Sequence, residues 1–449
     1  FECPQHNFEE MYYYRWWSLR KHIKETPVGY GMTEFLVQRS YSDKYNLIAC
    51  AIGHHIYESR WLRDPKYLDQ IIHTWYRGND GGPMKKMDKF SSWNADAVLA
   101  RYMVDGDKDY LLDMKKDLET EYQRWERTNR LKNGLYWQGD VQDGMEESIS
   151  GGRRKKYARP TINSYMYGNA KALSCIGILS GDEGMAMKYG MRADTLKNLV
   201  ENELWNTRHQ FFETMRTDSS ANVREAIGYI PWYFNLPDTT QKYEIAWKEI
   251  MDEKGFSAPY GLTTAERRHP EFRTRGVGKC EWDGAIWPFA SAQTLTAMAN
   301  FMNNYPQTVL SDSVYFRQME LYVESQYHRG RPYIGEYLDE VTGYWLKGDQ
   351  ERSRYYNHST FNDLIITGLI GLRPRLDNTI EVNPLIPADK WDWFCLDNVL
   401  YHGHNLTILW DKNGDRYHCG KGLRIFVDGK EVGQADTLTK IICENALKW

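Results

Sequence analysis

Several marks of membrane, redox and nucleic-acid-binding proteins are missing from this chain of 449 residues. No uninterrupted apolar run approaches the roughly 20 residues of a membrane-spanning helix, so we expect no membrane span. The seven cysteines are widely spaced and form no Cys-x-x-Cys pair, which argues against a zinc or redox site. The formal net charge is −4 and no long basic run occurs, so we do not expect nucleic acid as a partner.

Targeting and metal-binding signals are also sparse. Residues 1–7 lack the basic start and apolar run of a signal peptide. Because the chain starts with Phe1 rather than Met, we predict a mature, periplasmic or secreted protein whose signal has been removed; a cytoplasmic protein is the alternative. No cluster of His, Cys and Asp has ligand spacing, so we expect chemistry without metal or cofactor. The acidic loops do offer oxygen ligands for a structural calcium ion.

Aromatic residues are abundant. The chain has 17 Trp, 32 Tyr and 15 Phe, together 14% of its residues. Flat C–H faces of sugar rings stack on aromatic faces, so this content is compatible with a saccharide-binding cleft. Large apolar cores also use aromatic residues, so the excess alone does not separate the two interpretations.

Helical periodicity dominates the first four-fifths of the chain. Apolar spacing predicts helices over 8–25, 45–61, 67–76, 93–102, 107–126, 164–179, 182–204, 222–234, 243–252, 285–303, 313–327 and 359–369. Consecutive helices joined by short turns pack antiparallel, and about a dozen of them commonly close into a two-layered ring of six hairpins. We therefore predict a mainly α protein, with an (α/α)6 toroid as catalytic domain over residues 1–372.

The pattern changes after Arg373-Pro374. Two-residue alternation predicts strands over 379–383, 406–410, 423–428 and 430–433, with hairpin turns at 411–415 and 428–430. The sequence therefore predicts a small C-terminal β-sandwich domain over residues 373–449. It is too short for a large core of its own, so we expect it to pack against the barrel.

Three Gly- and aromatic-rich loops carry carboxylates, and hydrolysis of a glycosidic bond needs two carboxyl groups flanking that bond. The first loop, 136–152, holds four crowded carboxylates, Asp140, Asp143, Glu146 and Glu147. Crowding raises the pKa of a carboxyl group, as a proton donor requires. A solvated acidic loop paired with the basic run 153–156 is the structural alternative.

The second loop, 335–345, places Glu336 among aromatics and glycines; a plain turn between helices is its alternative. In the third, 280–288, we expect Asp283 to cap the following helix or to bind sugar hydroxyls.

These loops resemble motifs of the six-hairpin glycosidases, the clan of processing α-glucosidase I, trehalase and mannosylglycerate hydrolase. The segment Asp143-Gly144-Met145-Glu146 is similar to their Ser-Gly-Met/Trp-Asp motif, and Trp282-Asp283-Gly284-Ala285-Ile286-Trp287-Pro288 to their Trp-rich segment. Glu336-Tyr337-Leu338-Asp339-Glu340-Val341-Thr342-Gly343 is similar to the stretch that carries their general base. Order and rough spacing agree from 8 to 372.

The resemblance implies an inverting, exo-acting glycoside hydrolase with Glu146 as general acid and Glu336 as general base. Because Glu replaces the clan's Asp at the acid position, Asp143 is the alternative acid. The predicted substrate-binding residues are Trp137, Arg153, Arg159, Asn163, Tyr165, Trp282, Asp283, Trp287, Tyr337 and His358. The two arginines suit a carboxylate or phosphate substituent, with charge balance for the acidic loop as the alternative.

Two other functions and several sugars stay open at this point. A polysaccharide lyase also uses a helical toroid with a β-sandwich, and Tyr355, Tyr356 and His358 offer the bases it needs. A non-catalytic glycan-binding protein would keep the cleft without the chemistry. The resemblance makes glucosides the default substrate. The β-rich tail resembles those of rhamnosidase-like and arabinosidase-like enzymes, so L-rhamnosides and L-arabinofuranosides are alternatives.

Overall fold

The computed structural model describes residues 1–447, apart from the side chain of Gln241, and its N-terminal four-fifths is helical. The α-helices of this part of the chain are α1 (His6–His22), α2 (Ile52–Ser59), α3 (Pro65–Arg77), α4 (Asn94–Asp105), α5 (Lys108–Asn129), α6 (Pro160–Ser180), α7 (Glu183–Leu199), α8 (Ile230–Tyr233), α9 (Gln241–Glu244), α10 (Pro288–Asn304), α11 (Asp312–Ser325) and α12 (Asn362–Leu364). Short 3₁₀ or π turns extend several of them, at Ala49–Ala51, Val200–Leu204, Ala226–Tyr229, Ile245–Ile250 and Ile365–Leu369.

The even-numbered helices form a closed inner ring. Each contacts the next, from α2 through α4, α6, α8 and α10 to α12, and α12 contacts α2 again. The odd-numbered helices α1, α3, α5, α7 and α11 pack against this ring. The predicted (α/α)6 toroid is confirmed. Among residues 1–447, no helix is both long and apolar enough to cross a membrane.

The sequence explains which helices lie inside. Every residue from 160 to 170 of α6 and from 288 to 295 of α10 is buried, because these stretches carry no charged side chain and mostly small, apolar or aromatic ones. Helix α3 is amphipathic instead and buries one stripe, which includes Leu68, Ile72 and Trp75. A helix that is apolar on all sides must be surrounded, whereas an amphipathic one can cover it.

All the long connections lie at one end of the ring. They precede the inner helices, over 23–51, 78–93, 130–159, 205–229, 251–287 and 326–361, whereas short turns follow α2, α4 and α6. Inner helices of consecutive hairpins run in the same direction, so their N-terminal ends meet at one face. The three carboxylate-rich loops of the sequence therefore converge there.

Short antiparallel hairpins stiffen these long loops. The pairs are β1 (Ile23–Thr26) with β2 (Gly29–Met32), β3 (Trp137–Gln138) with β4 (Tyr157–Ala158), β5 (Trp205–Asn206) with β6 (Phe211–Phe212), β7 (Ser257–Ala258) with β8 (Gly261–Leu262), and β9 (Tyr327–His328) with β10 (Arg331–Pro332). Such short strands have no readable two-residue alternation, so the sequence does not predict them.

The C-terminal region forms two antiparallel sheets. One contains β11 (Leu372–Arg373), β12 (Ile380–Val382) and β17 (Ile441–Cys443); the other is a meander of β13 (Trp393–Tyr401), β14 (His404–Asp411), β15 (Gly422–Val427) and β16 (Lys430–Ala435). Apolar side chains of both sheets belong to the same core as the helices. The His402 N–H donates to the Val104 carbonyl of α4 at 2.7 Å, one of the contacts that hold the sheets on the barrel.

One predicted hairpin is correct and one is wrong. Asp428 and Gly429, both at positive φ, join β15 to β16 in a tight turn. The stretch 411–415 does not close a tight turn, because β14 ends at Asp411 and β15 starts only at Gly422. The Asp411 carboxylate instead accepts backbone N–H groups of Gly414, Arg416 and Tyr417, which orders a longer loop.

Candidate active site

Three glutamates from three different loops lie within electrostatic reach of one another at the N-terminal end of the inner ring. Glu34 precedes α2, Glu146 precedes α6 and Glu336 precedes α12. The negative charge of Glu336 raises the pKa of both Glu34 and Glu146, and Glu146 adds to the effect on Glu34. The fold therefore brings together two carboxylates that the sequence singled out and one that it did not.

Glu146 has the surroundings of a proton donor. Burial raises its pKa to about 7, against the effect of a backbone hydrogen bond, and the charges of Glu336 and Asp140 add to the increase. The turn that presents it contains Gly144 at a φ of 72°, packed against the sulfur of Cys50, so a side chain there would be both strained and obstructed. Near neutral pH, this carboxyl group is partly protonated, as a general acid requires.

Glu336 has cationic neighbours instead. Its Oε2 lies 3.3 Å from Nη2 of Arg352 and 3.6 Å from Nζ of Lys347, and the Ser353 hydroxyl donates to it at 3.5 Å. The side chain is buried. Two nearby positive charges stabilise a negative carboxylate, which is the form that activates water as a general base.

Asp143, the alternative acid, is occupied by structural contacts. Its Oδ1 accepts the Ser91 hydroxyl at 2.5 Å, and its Oδ2 accepts Nε of Arg159 at 2.6 Å and the Thr161 hydroxyl. The side chains of Asp143 and Arg159 are both fully buried. A carboxyl group whose two oxygens are both bound by protein donors has none free to face a substrate, so the geometry favours Glu146 over Asp143 as acid.

Glu34 is the carboxyl group that sequence reasoning missed. It is buried, and the Tyr356 hydroxyl donates to its Oε1 at 2.6 Å, whereas its Oε2 is buried without a partner among the described residues. Burial raises its pKa to about 8, with Glu336 and Glu146 adding to the increase. Glu34 stands alone between Thr33 and Phe35, outside any cluster of acids. The only sequence signal is a lone acid beside apolar Met32, Phe35 and Leu36.

Aromatic side chains form the floor beside these carboxyls. The rings of Trp282 and Trp287 stack at 4.3 Å, and Trp287 stacks on Tyr337 at 4.5 Å. Phe289 links this stack to His358 and to His54, with ring centroids 6.0 and 4.5 Å away. These residues come from loops before α10 and α12 and from α2 and α10 themselves, so the floor closes the centre of the ring.

Several hydrogen-bonding atoms on and beside this floor are unused, as are others elsewhere in the molecule. Both ring nitrogens of His54 and His358 are buried without partners among the described residues, and so are the indole N–H groups of Trp93 and Trp282. Burial lowers the pKa of both histidines well below the usual value, so each is neutral, with one donor and one acceptor. Buried polar groups are rarely left unpaired, so this surface suits water or the hydroxyls of a bound sugar.

Three other predicted binding residues lie inside the wall. Asn163 is fully buried. Its side-chain amide accepts the Tyr136 N–H and donates to the carbonyls of Tyr136 and Arg159. The Tyr165 hydroxyl accepts from Gln293 at 2.7 Å, and its ring packs 4.7 Å from Trp93. Arg159, which pairs with Asp143, and Asn163 hold the Glu146 loop in place, and the contacts of all three side chains leave little to offer a ligand.

Two predicted residues lie further out in the same segment. Trp137 is half-buried in β3, and Nζ of Lys156 lies 4.4 Å from its ring centroid. Arg153 is exposed and pairs with Glu147, next to the proposed acid. Both side chains therefore remain at least partly accessible to solvent.

The capping role predicted for Asp283 is wrong. Helix α10 begins at Pro288 with Trp287 as its N-cap residue and no side-chain cap. Asp283 is fully buried and its Oδ2 accepts the N–H groups of Arg275 and Gly276 at 2.6 and 2.9 Å. Its carboxylate therefore fixes the preceding loop. Its Oδ1 has no partner among the described residues.

Among the described residues, the site includes neither a metal cluster nor the large groove beside α1. Within residues 1–447, no group of three or more His, Cys, Asp or Glu side chains is arranged to hold a metal ion. A groove of about 910 Å³ lies between α1 and the 326–355 loop, lined by Tyr13, Trp17 and Tyr355 among others, but none of the three glutamates lines it. The groove is therefore separate from the carboxyl cluster.

A closed ring of six helical hairpins, with carboxyl groups and an aromatic floor at one end, defines a six-hairpin glycosidase. Comparison with known families agrees with this class. Residues 44–359 match the mannosylglycerate hydrolase MGH1-like glycoside hydrolase domain, and residues 372–433 match the C-terminal domain of glycosyl hydrolase family 65. The chain belongs to the MGH1-like glycoside hydrolase domain family and is a glycoside hydrolase.

Solved structures show the same fold. A structure named sialidase is 95% identical, with a TM-score of 0.99 over 99% of this chain and 41% of that one, so this chain spans less than half of that protein. A GH63 mannosylglycerate hydrolase from Thermus thermophilus, in complex with Tris and D-glycerate, is 12% identical, with a TM-score of 0.60 over 79% of this chain and 98% of that one. A GH78 rhamnosidase of Bacillus sp. GL1 is 10% identical, with a TM-score of 0.63 over 95% of this chain and 41% of that one.

Proposed function

We propose that this chain is an exo-acting, inverting glycosidase in which Glu146 is the general acid and Glu336 the general base. The observation that carries the proposal is the difference between the two carboxyls. Burial raises the pKa of Glu146 to about 7, whereas Glu336 has Lys347 and Arg352 beside it. A pair of carboxyls in opposite protonation states is what acid and base roles require.

In this mechanism Glu146 donates its proton to the glycosidic oxygen as the bond to the anomeric carbon breaks. Glu336 removes a proton from a water molecule that attacks the anomeric carbon from the opposite face. The reaction leaves Glu146 ionised and Glu336 protonated, and exchange with solvent restores both. An inverting pair needs room for this water, so we predict that the carboxyls lie roughly 6.5–9.5 Å apart when substrate is bound.

The closed floor supports exo action on a terminal sugar. His54, His358, Phe289 and the stacked tryptophans block the centre of the ring, so a chain cannot pass through it. A terminal sugar would stack on the aromatic rings and fill the unused hydrogen-bonding atoms. Arg153 and Trp137 are placed to contact the rest of the glycan.

The likeness to a structure named sialidase does not make an acidic sugar the substrate of this site. Arg159, the buried arginine of the Glu146 loop, is already paired with Asp143 and is not free to bind a sugar carboxylate. Sialidases act on an acidic sugar and use a tyrosine nucleophile. We therefore assign any sialidase activity of the longer, 95% identical protein to its other regions. Glucosides remain the default substrate, with L-rhamnosides and L-arabinofuranosides as alternatives.

A lyase is less well supported. Tyr356 donates to Glu34 and its pKa is raised well above the usual value by burial, which makes it a poor base. A lyase acting on a uronate also needs a cation to neutralise the sugar carboxylate, and the cations beside the cluster, Lys347 and Arg352, already lie against Glu336.

The test is a screen of nitrophenyl glycosides and oligosaccharides with the wild type, Glu336→Gln and Glu146→Gln. We expect release of one monosaccharide by the wild type, its loss from every substrate in Glu336→Gln, and its loss from oligosaccharides in Glu146→Gln. A product with the near-ultraviolet absorbance of an unsaturated uronide would identify a lyase instead. Sugar binding without turnover across the screen would identify a non-catalytic protein. We also propose the extracytoplasmic location expected from the sequence, which export of the natural gene product would test.

A further inference from the structure

Glu34 lies outside the part of the chain that matches the glycosidase family. The family match starts at residue 44, whereas Glu34 follows the β1–β2 hairpin. The backbone nevertheless fixes it beside the site, because the Asn357 N–H donates to the Glu34 carbonyl at 3.0 Å and the Asn357 side chain donates to Thr33 at 3.1 Å. The added segment is therefore tied to the same loop that carries Glu336.

Only one of the two carboxyl oxygens of Glu34 is used. Oε1 accepts the Tyr356 hydroxyl, and Oε2 is buried without a partner among the described residues. Tyr356 also packs against His358, with ring centroids 3.9 Å apart, and both histidine nitrogens are unused. A buried carboxyl oxygen without a hydrogen bond is unfavourable unless a ligand or water completes it.

We propose that Oε2 of Glu34 binds a hydroxyl group of the terminal sugar and is a specificity-determining contact of the site. The inference rests on the proposed glycosidase function and names a substrate-binding residue for it. Because Tyr356 donates to Oε1, the proton of the neutral carboxyl sits on Oε2, which then donates to the sugar oxygen. The neutral form is supported by the raised pKa of Glu34, about 8, to which burial contributes most and the charges of Glu336 and Glu146 the rest.

Two substitutions separate this role from a structural one. In Glu34→Gln the amide oxygen accepts from Tyr356 and the amide N–H donates to the sugar, so binding should survive. In Glu34→Met the shape remains but both hydrogen bonds are lost. We expect about 5- to 100-fold weaker sugar binding and a corresponding rise in KM, the usual range for a lost buried hydrogen bond.

Glu121→Met is the matched control. Glu121 is a half-buried residue whose carboxyl group also accepts a tyrosine hydroxyl, that of Tyr76, but both of its oxygens have protein partners. This change should lower the melting temperature and leave the affinity for sugar as it is. The comparison distinguishes the loss of a sugar contact from general destabilisation.

The experiment is calorimetric binding of D-glucose, D-mannose, L-rhamnose and their monodeoxy derivatives to the four proteins, alongside turnover. The wild type should bind one monodeoxy derivative about 10-fold more weakly than its parent, and Glu34→Met should bind the two equally. If Glu34→Met keeps the wild-type affinity and the full sensitivity to every deoxygenation, or if the wild type binds none of the sugars, the inference is wrong.

Binding does not depend on turnover, so the two proposals fail separately. A wild type without activity, whose sugar binding still weakens in Glu34→Met, would refute the glycosidase mechanism and keep the contact. A fully active wild type whose activity is lost in Glu336→Gln but unchanged in Glu34→Met would keep the glycosidase mechanism and refute the Glu34 contact.

Discussion

Two buried polar clusters of this molecule differ in how completely they are bonded. Where α2 meets α12, the Glu58 carboxylate accepts the N–H groups of Phe361, Asn362 and Asp363, and Arg60 pairs with Asp363 at 2.8 Å. At the carboxyl cluster, Glu34 keeps an unused oxygen and two histidines and two tryptophans keep unused nitrogens. The fully bonded cluster joins α2 to α12, whereas the incompletely bonded one leaves buried donors and acceptors that water or a ligand can complete.

The largest effect should follow from the loss of the base. Glu336→Gln keeps the size of the side chain but cannot take a proton from water, so we expect kcat to fall about 10³- to 10⁴-fold with little change in KM. Steady-state kinetics on the substrate found by the screen would measure this. A kcat within tenfold of the wild type would place Glu336 with the structural carboxylates.

Glu146→Gln should have a smaller and substrate-dependent effect. Sugar leaving groups need protonation, so their turnover should fall about 10²- to 10⁴-fold, whereas nitrophenolate leaves readily and its release should fall far less. The wild-type kcat/KM should also decline as pH rises through about 7, where Glu146 loses its proton, and this decline should vanish in the variant. Equal losses on both leaving groups would argue against an acid role.

Asp143→Asn tests the carboxylate of the same loop to which we assign a structural role. It removes one partner of a fully buried ion pair with Arg159, so we expect about 3–5 kcal/mol of lost stability. Residual folded protein should keep most of its kcat. Chemical denaturation and kinetics together measure both. If Asp143→Asn is stable and inactive while Glu146→Gln stays active, Asp143 is the acid.

The incompletely bonded cluster should also cost stability at alkaline pH. The folded-state pKa of Glu146, about 7, lies above its usual 4.5, so its contribution to stability is present below about pH 4.5 and is lost as pH rises through 7. Gln does not ionise. Relative to the wild type, Glu146→Gln should therefore gain about 1–3 kcal/mol between pH 4.5 and pH 8, since one unit of pKa shift is worth about 1.4 kcal/mol. Thermal denaturation at the two pH values measures this difference, and a difference independent of pH would contradict it.

The smallest effect is expected at Arg153. This exposed residue pairs with Glu147 on the surface, so Arg153→Ala should change stability by less than about 1 kcal/mol. Its effect on KM decides its function. A rise of more than threefold with a long oligosaccharide, but none with a nitrophenyl monoglycoside, would identify a contact to the outer part of the glycan.

The fold is readable from the sequence because helical periodicity is a local signal. The helix predicted over 107–126 is α5, and that predicted over 285–303 is α10, each within a few residues. The loop hairpins are built from strands of only two to four residues, which are too short to show a clear two-residue alternation. The turn between β13 and β14 uses His402 and Gly403 at positive φ, and His does not mark such a turn as Asn or Asp does.

The site is only partly readable, because its parts are assembled by the ring. Glu146 and Glu336 stand in loops with a recognisable composition. Glu34 has no such context and becomes a site residue only through Tyr356, 322 positions away in the chain. Nor does the sequence reveal that the polar groups of Arg159 and Asn163 are used in contacts within the wall, since a polar residue at the start of a helix can point to either side.

Product stereochemistry tests the central claim most directly. If Glu146 and Glu336 act from opposite faces with a water between Glu336 and the anomeric carbon, ¹H NMR of the first turnovers should show the sugar released with the anomeric configuration opposite to that of the substrate. Release of the sugar with the same configuration as the substrate would mean a covalent intermediate and carboxyls only about 5–5.5 Å apart, and would contradict the roles assigned to both residues.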